Sequence, residues 1–116
     1  MRTESRTDAE LLAAARSRPD ELGVVYERHS VAVHRHLARR VGTAAADDLL
    51  GEVFVAAVSA RLRVQAHESG SALPWLYGIA GNVVRTYLRQ QARTAASTRD
   101  EQLVWRLPPS RPGAPA

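Results

Sequence analysis

Apolar residues recur at three- and four-residue steps through most of this chain, and that period commits it to helix. Leu22, Val25, Tyr26, Val33, Leu37 and Val41 form one such series, which on a 3.6-residue turn makes a single apolar stripe. Leu49, Leu50, Val53, Phe54, Ala57 and Leu62 form another, and Trp75, Leu76, Ile79, Ala80, Val83 and Tyr87 a third. No alternation of period two runs long enough for a strand. The predicted fold class is all-α, a compact bundle of about four helices.

The boundaries follow from capping chemistry. Thr7-Asp8-Ala9-Glu10 reads as a capping box, in which the threonine oxygen and the glutamate carboxylate satisfy each other's backbone amides. A short helix through Arg16 follows, with Leu11, Leu12 and Ala15 as its inner stripe. Pro19 suits the first turn of a second helix, where its missing N–H costs nothing. Arg39 and Arg40 load the end of that helix, and Gly42 can close it in a left-handed cap. Thr43 can cap a third helix, roughly Ala44 to Leu62. Arg63 to Ala72 contains Ser69-Gly70-Ser71 and reads as a loop. Pro74 opens a fourth helix to about Arg93, with a further short helical piece near Glu101 to Arg106. The expected layout is a flexible N-terminus at 1–7, a helical domain at 8–93, and a Pro-rich interdomain linker or tail at 94–116.

Composition narrows the chemistry. The formal net charge is +4 and all 16 basic residues are arginine. A GC-rich coding bias is the plainest cause of the missing lysines. The consequence stands regardless, because guanidinium binds phosphate bidentately and stacks on bases. With no cysteine, disulfides and thiolate metal sites are excluded. No stretch is long and apolar enough to span a bilayer, and no signal peptide opens the chain. The expected location is cytoplasmic.

Two polar surfaces stand out. Asp47, Asp48 and Glu52 cluster at the start of the third helix. Dipole compensation and a solvated face are the favoured reading of the spacing; an acidic patch for a partner's arginines, around a leucine anchor, is the alternative. Without a nucleophile, a metal ligand set or a phosphate loop beside them, catalysis is rejected, and no cofactor is expected. On the fourth helix, Gly78, Asn82, Arg85, Arg89 and Arg93 follow one another by three or four residues, with Thr86 and Gln90 alongside. A solvated face is again the plain reading. Aligned arginines can also straddle phosphates, Asn82 can read a base edge, and Trp75 offers a stacking surface. His29 lies on the apolar side of the second helix as a core or boundary residue. His34 and His36 point to different faces, so no metal site is expected.

Two segments resemble the extracytoplasmic-function (ECF) group of bacterial RNA polymerase sigma factors. Ala46-Asp47-Asp48-Leu49-Leu50-Gly51-Glu52-Val53-Phe54-Val55 is similar to the family's acidic run ending in Glu-Val-Phe. Pro74-Trp75-Leu76-Tyr77-Gly78-Ile79-Ala80-Gly81-Asn82-Val83-Val84-Arg85 is similar to its Trp-Leu, Ile-Ala, Asn and downstream Arg pattern. Tyr26-Glu27-Arg28-His29 supports the likeness, which covers roughly Asp8 to Arg93.

The resemblance implies a sigma region two domain. Asp47, Asp48, Leu49 and Glu52 would dock on the β′ clamp helices of core RNA polymerase. Trp75, Asn82, Arg85, Thr86, Arg89 and Arg93 would hold the non-template strand of the promoter minus-ten element. The loop before the fourth helix, with Arg63, His67, Ser69 and Ser71, would build the pocket for an extruded base. Gly78 and Gly81 depart from the pattern and shift readout toward the loop and Asn82. The absence of a following helix-turn-helix domain marks the chain as an excised fragment or a natural short form, the fragment being favoured. The resemblance also implies an anti-sigma partner, and the alternative function is a protein–protein module held by one without DNA contact.

Overall fold

The computed structural model describes residues 4–64 and 68–106, with side chains described to residue 97. Among the described residues the four α-helices are α1 (Asp8–Ala15), α2 (Leu22–Val41), α3 (Thr43–Ala60) and α4 (Leu73–Arg106). Short 3-10 turns at Pro19–Glu21 and Arg61–Arg63 lead into α2 and out of α3. The described residues contain no strand, so the molecule is all-α as its periodicity requires. None of the described helices is long and apolar enough to cross a membrane.

The chain divides into two units, Met1–Val84 and Arg85–Ala116. The first holds the core. Leu11, Val25, Val33, Leu37, Val53, Leu76 and Val84 are fully enclosed, each contributing about 1.5–3 kcal/mol by leaving water. α2 and α3 pack against each other, and Tyr26 meets Phe54 edge-to-face across them with centroids 4.6 Å apart. Tyr26 is nonetheless 40% exposed, so it rims the core instead of filling it. On α4 the enclosed positions are Leu76, Ala80 and Val84, a strict four-residue step that leaves Ile79 and Val83 half-buried. In the second unit the described side chains are exposed apart from half-buried Tyr87.

The caps are partly those expected. The Thr7 hydroxyl accepts from the Glu10 amide at 3.1 Å, and the Glu10 carboxylate accepts from the Thr7 amide at 2.8 Å. The expected cap at Thr43 is not used. Thr43 is the first residue of α3 without a side-chain cap, and Gly42 stands before it at φ 88° and ψ 163°. Gly42 serves both helices: its N–H donates to the Ala38 carbonyl at 2.9 Å, and its carbonyl accepts from the Ala46 amide at 3.0 Å. The positive φ was expected, but the extended ψ places it outside the left-handed helical region. α4 does not end near Arg93; it continues as one helix to Arg106. Residues 107–116 of the Pro-rich segment lie outside the described residues.

Residues 4–7, expected to be loose, are tied down. Arg6 bridges Glu4 and Glu21, each at 2.9 Å, and Arg28 donates to the carbonyls of Glu4 and Arg6. The hydrogen bond from Arg6 holds the Glu21 carboxyl below its ordinary range.

Candidate nucleic-acid and polymerase interface

The acidic face belongs to the second and third turns of α3. Asp47, Asp48 and Glu52 are exposed. Asp47 is 2.7 Å from Nε2 of His34 on α2, a pairing that ties the start of α3 to its neighbour. Asp48 and Glu52 have no hydrogen-bond or ion-pair partner among the described residues. They share a face because they lie four apart on a helix. Leu49 is a correction to the expected docking set. It is only 3% exposed and belongs to the core, because the helical period that turns Asp48 and Glu52 outward turns Leu49 and Val53 inward.

The segment before α4 is built from short side-chain turns. Gly70 takes φ 78°, a left-handed conformation that suits glycine. The Ser69 hydroxyl accepts from the Ser71 amide at 3.2 Å, and the Ser71 hydroxyl accepts from the Leu73 amide at 3.1 Å. Ser71 thus satisfies the first amide of α4, one of the donors a helix leaves open. Arg63 is exposed. His67 lies outside the described residues.

α4 begins against a buried carboxylate. Asp8 is 8% exposed and is the charged side chain of the core among the described residues. Its Oδ1 accepts from Arg28 at 2.9 Å, while Oδ2 accepts from the Ala72 amide and meets His29 Nε2, both at 2.7 Å. Burial pushes this carboxyl up, but the Ala72 amide, His29 and Arg28 outweigh it, so it stays ionised below its ordinary range. Both oxygens of the carboxylate find donors, the condition under which a buried charge is tolerated. The sequence carries Asp8 only as a first-turn helix residue; its partners lie 20, 21 and 64 positions away, beyond any local signal.

Past that junction Trp75 is half-buried and Asn82 exposed. Tyr77 lies beside His36 of α2 with ring centroids 4.7 Å apart. Burial first, then Arg40 and Arg39, keep the His36 imidazole below its ordinary pKa. In the second unit Arg85, Thr86, Arg89 and Arg93 are all exposed. The three arginines lie four apart and share one helix face. Leu88, 48% exposed, lines a shallow hollow with Arg85, Arg89 and Ala92. Among the described residues no group of three or more His, Asp or Glu side chains could hold a metal ion.

Compared with known families, residues 25–94 match the family model described as Sigma-70 region 2. That span contains α2 from Val25 onward, all of α3 and α4 as far as Thr94, and leaves α1 outside it. No curated protein and no solved structure gave a match.

Proposed function

The chain belongs to the sigma-70 factors as a region 2 domain, and from that premise we propose a specific division of labour among its faces. The family consists of transcription initiation domains and not of enzymes; such domains bind RNA polymerase and recognise the promoter minus-ten element. In our reading the chain is of the ECF group. Asp47, Asp48 and Glu52 seat α3 on the β′ clamp helices of core polymerase. Leu49 acts from beneath by holding α3 in the bundle. Asp48 and Glu52 supply the accessible charge, and Asp47 shares its carboxylate with His34.

Trp75 and Asn82 face the opened minus-ten element, with Arg63, Ser69 and Ser71 bordering the extruded base. Arg85, Thr86, Arg89 and Arg93 contact phosphates of the non-template strand. Opening DNA costs stacking and pairing energy, least at A·T-rich steps, and a pocket for the extruded base offsets that cost. Aromatic and guanidinium groups then hold the single strand.

The observation that carries the reading is the family match, because it spans all of these residues. The test is titration of the chain with a labelled single-stranded minus-ten oligonucleotide, alone and with the β′ clamp fragment. Weak binding alone that tightens with the clamp fragment is the expected result. Equal failure to bind in both arms sinks the proposal.

A further inference from the structure

α1 lies outside the residues matched to the family, yet it touches both the exit of α3 and the entrance of α4. At its C-terminal end, Arg16 donates to the Leu62 carbonyl at 2.8 Å, and Arg61 donates to the Ala15 carbonyl at 2.9 Å. At its N-terminal end, Asp8 accepts the Ala72 amide at 2.7 Å. The Ala72 carbonyl in turn accepts from the Leu76 amide at 3.0 Å, so Ala72 is the residue from which α4 starts. A helix of this length is about 12 Å long and rigid on that scale. It works as a strut between the two ends of the connection from α3 to α4.

We infer that Asp8 is a positioning residue for promoter recognition: through the Ala72 amide it fixes where α4 begins, and thereby the setting of Ser71 and Trp75. This rests on the reading of Trp75 and the serines as promoter-facing. The geometry is well suited to the task. Ala72 is 1% exposed, so its amide has no water to fall back on when the carboxylate is lost. Arg28 and His29 come from adjacent positions of α2 and hold the carboxylate from two sides. The acceptor presented to Ala72 is therefore fixed to the bundle and not to a mobile side chain. The same carboxylate is remote in sequence from Asp48 and Glu52, and none of its partners belongs to the α3 acidic face.

The test uses the full chain carrying W105F, which leaves Trp75 as the sole indole, since the sequence has two tryptophans. Three quantities are compared with and without Asp8→Asn: Trp75 emission, affinity for the minus-ten oligonucleotide, and affinity for core polymerase. Asparagine keeps the shape but turns one acceptor oxygen into an NH2 donor, which must oppose either Arg28 or the Ala72 and His29 pair. The expected result is a shifted Trp75 emission and a loss of oligonucleotide affinity of about tenfold, the scale of one charge-assisted hydrogen bond. Polymerase affinity stays within about twofold, the range expected when the site lies apart from the substitution. A parallel fall of both affinities would mean that Asp8 serves only the folded fraction, and an unmoved Trp75 would overturn the inference outright. Should Asp8→Asn fail to fold, His29→Gln removes one support while leaving the carboxylate, Arg28 and Ala72 in place. It should lower oligonucleotide affinity about threefold by the same reasoning, and no change would again overturn the inference. If the parent chain binds no oligonucleotide even with polymerase, the promoter reading falls. The Trp75 response to Asp8→Asn still decides whether Asp8 sets the α4 entrance.

Discussion

Replacing Gly42 with alanine tests the one-residue joint between α2 and α3. At φ 88° and ψ 163° the residue occupies a region open almost only to glycine, where a side chain costs about 1–3 kcal/mol. A Cβ built there meets nothing within 4 Å, so the penalty is conformational, with no clash added. Alanine also narrows the unfolded ensemble, which returns about 0.4–1 kcal/mol. The net expectation is a loss of about 1–2 kcal/mol, equivalent to about 4–15 °C in Tm for a domain of this size. Gly51 provides the matched control. It sits inside α3, exposed, also with nothing within 4 Å of a built Cβ. There alanine should stabilise by about 1 kcal/mol, the ordinary helix-propensity difference. Thermal unfolding followed by circular dichroism reads both, and opposite signs are required. A Gly42→Ala variant as stable as the parent would show that the junction between α2 and α3 does not depend on a positive φ.

Three further outcomes follow from the surfaces and from the buried carboxylate. Arg85→Ala with Arg89→Ala should weaken DNA binding and reduce the magnitude of its salt slope by about 0.7 per lost single-strand phosphate contact; an unchanged slope removes these arginines from the phosphates. Asp48→Ala with Glu52→Ala should lower core-polymerase affinity while the helical circular-dichroism signal is preserved, and full retention of affinity refutes their docking role. The Asp8 carboxyl lies below its ordinary value of 3.8 in the folded chain, so the unfolded chain binds the extra proton first and stability rises with pH through that window. Its contribution is complete above pH 3.8 and is lost as pH falls through the lower folded value. Acid titration of Asp8→Asn should therefore show a shallower loss of stability below that point than the parent shows.

How much of this was readable from the residues depends on the range of the interaction. The capping box at Thr7–Glu10 closes within one turn, so its four residues announce it. The inward positions of α2 repeat often enough that Leu22, Val25, Val33 and Leu37 are found from period alone. Errors begin where a single residue decides. Val83 and Val84 are chemically equivalent neighbours, and only the direction of packing selects Val84 for the core. Thr43 is the better cap by composition, yet the backbone turns one residue earlier because Gly42 alone tolerates the required φ. Polar sequence after Arg93 lacks an apolar stripe and so hides the continuation of α4, although nothing in it forbids helix. In the site, the outward acidic and arginine positions follow from spacing. Leu49 did not, because its place between two acids resembles an anchor as much as a core residue. The Asp8 hub and the His34–Asp47 pair join separate helices, and no local pattern encodes a partner that only folding brings near.

The single-residue joint also has a kinetic side. α2 and α3 are neighbours in sequence, so their pairing closes almost no loop and should form early, as contacts of low sequence separation do. The bonds from α1 to Arg61, Leu62 and Ala72 span 46 to 64 positions and can close only afterwards. Under mild denaturant the same order should run backwards, with the Ala72 amide exchanging its proton before the amides at the centre of α2. A partly loosened molecule would then keep its acidic face while losing the setting of the α4 entrance.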